Sequence, residues 1–240
     1  MLAGVFAALY LSGCVTVPES ARDRRDPFQS YNRAMYKVNT AVDDKALRPT
    51  AKAYVRVVPQ PVRRGITRFF GNLSYPRTLV NNLLQGKLRD AGSDTLRLTV
   101  NTVLGLGFFD PASQMGLEQH NEDFGQTLGK WGVSAGPYLV LPLLGPSTVR
   151  DGIGRVPDEY TTARHYIDNR TLKYSLAAID IVDTRASLLD TDALLAKSFD
   201  SYAFMRNAWL QRREYLVHDG EVAEEEPAAE TDEPAASSAQ

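Results

Sequence analysis

The sequence predicts an all-α protein. Apolar residues recur at spacings of three and four along most of the chain, which is the period of a helix face. Prolines and a glycine stand where such runs begin and end, at Pro27, Pro61, Pro76 and Gly86. No run sustains two-residue alternation bounded by hairpin turns, so a sheet domain has little support.

In order along the chain, Asp26-Pro27 reads as an N-cap with proline at the first helical position, and Gln29 stands where a capping box is completed. Phe28, Tyr31, Met35, Val38 and Val42 form an apolar stripe on a first helix ending near Asp43, with Asn32, Arg33, Lys37 and Asn39 on the other side. Tyr54, Val55 and Val58 predict a second helix over 49–58, stopped by Pro59. Pro61 starts a third, in which Val62, Ile66, Phe69 and Phe70 repeat while Arg63, Arg64 and Arg68 stay polar. Pro76 opens a fourth, with Leu79, Val80, Leu83 and Leu84, ended by Gly86. A fifth runs from Leu88 to Leu104, with Ala91, Thr95, Leu98 and Thr102 aligned.

The centre, 105–154, is rich in glycine. Within it, residues 133–146 are almost wholly apolar and broken by Pro137, Pro142 and Pro146. The run is too short and too interrupted to span a membrane, and exposed to water it would be a binding or aggregation patch. It is therefore either buried core or a lipid-facing surface. Helices return with Leu172, Leu176, Ile179 and Val182, leading into Ala186 and Leu189. After Asp190-Asp192, Leu195, Phe199, Tyr202, Met205 and Trp209 predict one long final helix that frays by Gly220.

Ahead of this body, the first thirteen residues carry no charge and residues 2–11 are apolar. Leu11-Ser12-Gly13-Cys14 resembles a lipobox, the processing site of bacterial lipoproteins, and Cys14 is the single cysteine of the chain. The expected organisation is a signal peptide over 1–13, a lipidated tether over 14–25 beginning at Cys14, a helical domain over 26–218 and an acidic tail over 219–240. The apolar leader falls short of the ~18–20 residues of a membrane span. A lone cysteine excludes an intramolecular disulfide and a cysteine-rich metal site. Val15, where an inner-membrane retention signal often places aspartate, fits sorting to the outer membrane.

The formal charge of −2 conceals an asymmetry. Residues 221–240 hold seven acidic side chains and no basic one, which leaves residues 1–220 at +5. A mildly basic body suits proximity to anionic headgroups and falls far short of a nucleic-acid signature. The tail, rich in Ala, Glu and Pro, has almost nothing to bury.

Nothing in the sequence assembles catalytic chemistry. His120, His165 and His218 are far apart, with no pair at helical spacing, and no zinc-ligand pattern is present. Asp151, Asp158 and Asp168 sit among Gly, Pro and Thr and read as turn and cap residues. Gly145-Pro146-Ser147-Thr148 lacks the glycine elbow of a serine nucleophile. Gly125-Gln126-Thr127-Leu128-Gly129-Lys130 lacks the spacing and ending of a phosphate loop. No catalytic residue, metal ligand or cofactor is expected, which points to binding or transport.

The chain resembles the VacJ/MlaA family of outer-membrane lipoproteins from about residue 11 to residue 218. The resemblance is carried by Asp26-Pro27 with Tyr31-Asn32-Arg33-Ala34-Met35-Tyr36 and Asn39, by Pro59-Gln60-Pro61, and by Asn81-Asn82-Leu83-Leu84-Gln85-Gly86. Its most specific part is Phe124-Gly125-Gln126-Thr127-Leu128-Gly129-Lys130-Trp131-Gly132-Val133 with Gly136-Pro137-Tyr138, Leu141-Pro142 and Gly145-Pro146-Ser147-Thr148-Val149-Arg150-Asp151. Thr184-Arg185-Ala186 and Leu188-Leu189-Asp190 also match, whereas Tyr31, Val38 and Thr40 depart from the more aromatic pattern of the first helix.

The resemblance implies a ring of amphipathic helices lying mainly in the inner leaflet of the outer membrane around a central amphipathic channel. It implies removal of mislocalised phospholipids from the outer leaflet, with a trimeric porin and a periplasmic lipid carrier of the Mla type as partners, and no hydrolysis by the chain itself. Helices in an interfacial plane need one apolar face toward acyl chains, and a charged headgroup crossing a leaflet needs a polar wall. On this reading the segment 133–149 contributes to the channel wall or rim. Asn39, Tyr138, Arg150 and Asp151 are the candidate channel or gate residues, and packed core is the alternative for Tyr138. The competing functions are a scaffold lipoprotein that binds porins without transporting, and a lipid-modifying enzyme, which requires a clustered nucleophile or metal site.

Overall fold

The computed structural model describes residues 24–221; the leader, Cys14 and most of the expected tether and tail lie outside the described residues. Helix α1 (Gln29–Val42) passes through a π-helical turn (Asp43–Leu47) directly into α2 (Arg48–Val57). The sequence predicts a helix end near Asp43 and a new start at residue 49, which is Pro49. That proline cannot donate a backbone hydrogen bond, and the turn before it opens to the wider π pattern while Thr50 Oγ1 donates to the Ala46 carbonyl (2.8 Å).

Helix α3 (Gln60–Leu84) is one helix where the sequence expects two. Pro76 lies inside it, and side-chain bonds hold both halves in line: Tyr75 before the proline and Asn82 after it both donate to the Asp94 carboxylate of the next helix (2.6 and 2.7 Å). Next come α4 (Leu88–Val103), α5 (Pro111–Gln114) and α6 (Phe124–Lys130). The apolar segment after them is a β-hairpin, which the sequence did not predict: β1 (Tyr138–Leu141) pairs antiparallel with β2 (Gly145–Thr148), Tyr138 opposite Thr148 and Leu141 opposite Gly145. Four residues per strand are too few to display a two-residue period.

Helix α7 (Val149–Thr161), a 3-10 turn (Ala163–Tyr166), α8 (Arg170–Ser187), a second 3-10 turn (Leu189–Thr191), α9 (Asp192–Lys197) and α10 (Ser201–Val217) complete the chain. The expected single final helix is thus split. Asp200 breaks it by capping α10, accepting from the Tyr202 and Ala203 N–H groups, while its carboxylate also takes the Arg33 guanidinium (2.6 Å). The Asp26-Pro27 cap is likewise not made. Phe28 is the N-cap of α1 without a side-chain bond, and Gln29 Oε1 is buried without a partner.

Two asparagines explain how a lone hairpin is stabilised. Asn32 Nδ2 donates to the Tyr138 carbonyl (2.9 Å) and Asn32 Oδ1 accepts from the Val140 N–H (2.8 Å). Two helical turns later Asn39 repeats the pattern on the Leu141 carbonyl (2.9 Å) and the Leu143 N–H (2.8 Å). Spaced seven apart, the two amides lie on one face of α1 and stand in for a third strand along the open edge of β1.

The elements close on themselves. Helix α1 lies against β1, α2 packs on α8, α8 leads through its 3-10 turn to α9, and α9 meets α10. Tyr202 of α10 returns to the hairpin edge-on to Tyr138, with ring centroids 6.4 Å apart. Outside this circuit α3 and α4 pack together, and α6 with α7. Glycine permits the second approach: a Cβ on Gly154 would lie 2.6 Å from the Gly125 backbone nitrogen.

What this fold buries is mostly polar. Among the described residues 19 polar or charged side chains are buried against 12 hydrophobic ones, and large apolar side chains lie on the outside. Helix α4 shows the inversion: it buries Asp94, Arg97 and Asn101 beside Ala91 and Val100, and exposes Leu88, Val103 and Leu104. Of the stripe the sequence offered there, Thr95 and Thr102 are exposed, Leu98 is half-buried and Ala91 alone is buried. Asp94, fully buried, accepts from the Tyr75 hydroxyl (2.6 Å) and the Asn82 amide (2.7 Å), with His120 Nδ1 at 3.0 Å. Asp183 on α8 accepts from Tyr54 of α2 and Thr67 of α3 (2.7 Å each). Asp26 accepts from Asn32 (2.7 Å), from Arg206 (3.1 Å) and, through a short bond, from Tyr202.

Substituting Asp94→Ala strands two buried donors at ~1–3 kcal/mol each and is expected to destabilise the fold by about 3 kcal/mol, with Asp94→Asn milder. Leu88→Ser, at a side chain 71% exposed, leaves the melting temperature in detergent nearly unchanged. Thermal denaturation of the detergent-solubilised protein checks both, and equal losses would refute the inverted arrangement.

Asp158 supplies a pH signature. Burial pushes its carboxyl up to about 6, against the pull of the Phe124 N–H that it accepts (2.9 Å). A folded-state value above the unfolded one means that ionisation costs the native state, so stability declines as pH rises from about 4 to about 6. Asp123 runs the other way. Burial opposes its charge, but the Arg213 guanidinium outweighs it and holds the carboxyl at about 2, a contribution present above about pH 4 and lost as pH falls toward 2. Denaturant melts of Asp158→Asn at pH 4 and pH 7 should show the slope between those values flattened.

Candidate functional site

The circuit of α1, α2, α8, α9, α10 and the hairpin encloses a partly open cavity of about 810 Å³. Its walls differ in chemistry. One is charged and comes from the π turn, α2, the end of α8 and Asp192 of α9; the other is largely apolar and comes from α10, with Leu188, Leu195 and Val140.

The charged wall is an ion-pair ladder. Arg185 donates to Asp43 through Nε (2.6 Å) and Nη2 (2.8 Å), and Nη2 also reaches Asp192 (2.9 Å). Arg48 reaches Asp44 (2.6 Å) and Asp192 (3.2 Å). The hydrogen bond to Asp43, with Asp192 adding to it, outweighs burial and holds the Arg185 guanidinium well above its usual range, so it stays charged. Its Nη1 is buried without a hydrogen-bond partner. The π turn matters here because it brings the adjacent Asp43 and Asp44 both to the cavity, and π turns inside helices recur at functional sites.

The apolar wall follows helical spacing on α10, where Phe204, Met205, Ala208 and Trp209 face the cavity and Arg212 ends the row. The hairpin contributes Val140, Gly145 and Pro146. An enclosure with one ion-paired and one apolar wall accommodates an amphiphile, with a charged group on one side and hydrocarbon on the other.

The structure separates the residues singled out from the sequence. Asn39 lines the cavity and fastens the hairpin turn to α1. Tyr138 lies behind the wall, 1% exposed, edge-on to Tyr202 and Trp209 (centroids 6.4 and 5.9 Å). Burial pushes its hydroxyl above the usual tyrosine range. Arg150 and Asp151 belong to a different cluster. Asp151 takes Arg213 Nη2 (2.9 Å) and Arg150 Nε (3.2 Å), Arg213 also grips Asp123 (2.6 Å), and together they tie α6 and α7 to α10. Asp219, the first residue of the expected tail, pairs with Lys130 (2.7 Å) and Lys87. Cys14 lies outside the described residues.

Sequence reading missed the ladder. It ended one helix near Asp43 and began the next at residue 49, so Asp43, Asp44 and Arg48 fell into a presumed gap. The four-residue steps from Asp44 to Arg48 to Lys52, which align charges on one helix face, are the signal that marks this wall. Among the described residues no group of three His, Cys, Asp or Glu is placed to hold a metal, and no helix is long and apolar enough to cross a membrane.

A family profile described as "MlaA lipoprotein" matches residues 24–216. The chain is 35% identical over 223 residues to the "Intermembrane phospholipid transport system lipoprotein MlaA" of Escherichia coli (strain K12), covering 90% of this chain and 88% of that protein. It is 32% identical over 234 residues to the protein of the same description from Haemophilus influenzae, covering 93% and 92%. An uncharacterized protein of Rickettsia bellii is 33% identical over 199 residues, 82% of this chain and 78% of that one. A structure solved in work on the structural basis for maintenance of bacterial outer membrane lipid asymmetry matches with a TM-score of 0.73 and 35% identity, over 81% of this chain and 100% of the other. With its closed circuit of amphipathic helices, the chain belongs to the MlaA lipoprotein family.

Proposed function

We propose that this chain removes mislocalised phospholipids from the outer leaflet of the outer membrane through its central cavity and hands them to a periplasmic lipid carrier, maintaining lipid asymmetry. It is a transport lipoprotein of the outer membrane and not an enzyme. The observation that carries this reading is the amphipathic cavity within a fold that turns many of its large apolar side chains outward. Exposed apolar helix faces place the ring among acyl chains, while hydrogen bonds within the helices satisfy the backbone there. A phospholipid moving through needs surroundings for its headgroup that are neither water nor hydrocarbon, and the charged side of the cavity, walled by the ladder of Arg48, Arg185, Asp43, Asp44 and Asp192, supplies them.

Cys14, processed after the leader 1–13, carries the lipid and directs the protein to the outer membrane; the tether 14–25 joins it to the helical domain 26–218. A trimeric porin is the membrane partner that the apolar outer surface fits. Asn39 acts in the gate by holding the hairpin rim, and Tyr138, Arg150 and Asp151 act indirectly by bracing the hairpin and α7. A pure porin-binding scaffold has no use for an enclosed amphipathic cavity.

Deleting the gene is expected to raise outer-leaflet phospholipid, with full complementation by the wild type and none by Cys14→Ala; unchanged outer-leaflet phospholipid in the deletion strain would sink the transport reading. Asn39→Ala removes two hydrogen bonds, ~0.5–1.5 kcal/mol each, and frees the hairpin turn. It should change outer-leaflet phospholipid at normal protein abundance, and a wild-type level would remove Asn39 from the gate.

A further inference from the structure

Ion pairing divides the cations of the cavity into two kinds. Arg48 and Arg185 are committed to Asp43, Asp44 and Asp192. Lys52 and Arg212 line the same cavity, and among the described residues neither makes an ion pair or hydrogen bond. With three carboxylates and four cations in the lining, the excess positive charge resides on these two side chains.

Their places on their helices say what accompanies the charge. On α10 the row Phe204, Met205, Ala208 and Trp209 runs for two turns and ends in Arg212, about 12 Å along the axis from Phe204 at ~1.5 Å per residue. On α2, Lys52 follows Arg48 by one turn, just past the end of the ladder. A ligand that uses both features carries an anion directly beside an apolar body. Inorganic phosphate leaves the apolar row bare, and diacylglycerol leaves both cations unanswered. A glycerophospholipid satisfies both, because its phosphodiester oxygens accept from a guanidinium fork and an ammonium while its acyl chains follow the row.

We propose that Lys52 and Arg212 recognise the phosphodiester of the cargo and set the preference of the cavity for phosphate-bearing over phosphate-free lipids. This rests on the transport reading above and names the group that the cavity grips. Both side chains are exposed and held by no other protein group, so they can follow a moving phosphate, and the ladder beside them supplies a rigid wall.

The test uses the full-length lipidated protein in maltoside micelles with fluorescently labelled phosphatidylglycerol, phosphatidylethanolamine and diacylglycerol. The Lys52→Gln/Arg212→Gln double variant is expected to bind both phospholipids about tenfold more weakly and diacylglycerol unchanged, while Lys52→Arg/Arg212→Lys stays within about twofold of wild type. Wild-type affinity for both phospholipids in the double variant overturns the proposal. So does an equal loss of diacylglycerol, which marks a structural role, or displacement of labelled lipid by inorganic phosphate at matched concentration, which marks a free-anion site. If the double variant does not fold, Lys52→Gln alone carries the same comparison. The two readings fail separately. A wild-type chain that binds no phospholipid overturns transport itself; restoration of lipid asymmetry by the double variant as well as by the wild type overturns only the assignment of Lys52 and Arg212.

Discussion

Buried carboxylates that accept hydrogen bonds from neighbouring helices are the constraint on which this structure depends. Asp26, Asp94 and Asp183 each collect hydroxyl, amide or guanidinium donors from other segments, and each joins elements that apolar packing alone would not hold. The reason lies in the surroundings of the ring. Among acyl chains, apolar side chains gain nothing by turning inward, since lipid is as apolar as a protein core. Polar groups lose heavily if left outside, so polar faces meet one another and apolar faces turn out. Helix α4, with Asp94, Arg97 and Asn101 inside and Leu88, Val103 and Leu104 outside, is that rule applied to one helix.

A ring built this way can be hollow. A water-soluble globule needs its centre filled with hydrocarbon, because burial of that hydrocarbon is what holds it together. Here the centre contributes little to cohesion, and it is left as a cavity of about 810 Å³ between an ion-pair ladder and an apolar helix face. The ladder is stiff because Asp43 and Asp192 are each shared between Arg48 and Arg185. The hairpin closes the remaining side, and it is held there by Asn32 and Asn39, whose side-chain amides do for β1 what a neighbouring strand does elsewhere.

Much of the helix content was legible because amphipathic period does not depend on which face is buried. The positions of α1, α2, α4 and α8 follow from it closely. The breaks were less legible. Pro49 and Pro76 read as helix starts, yet a π turn and cross-helix side-chain bonds carry the chain through both. Asp200 broke a helix that periodicity alone continues. Of the candidate site residues, Asn39 reached the cavity, whereas Tyr138 packs behind its wall and Arg150 and Asp151 brace another part of the ring.

By itself the sequence determined the helical class and, through long matching segments, the family. Those properties are local or are carried by residue identity. The tertiary structure decided which helix faces turn inward, that the central apolar run is a hairpin, and that Asp43, Asp44, Arg48, Arg185 and Asp192 form one wall. Those are decided by partners as far apart as Asp43 and Arg185, and a carboxylate reads the same in a sequence whether it faces water or another helix. The direction of burial is set by the solvent around the ring, and no spacing within a single helix records it.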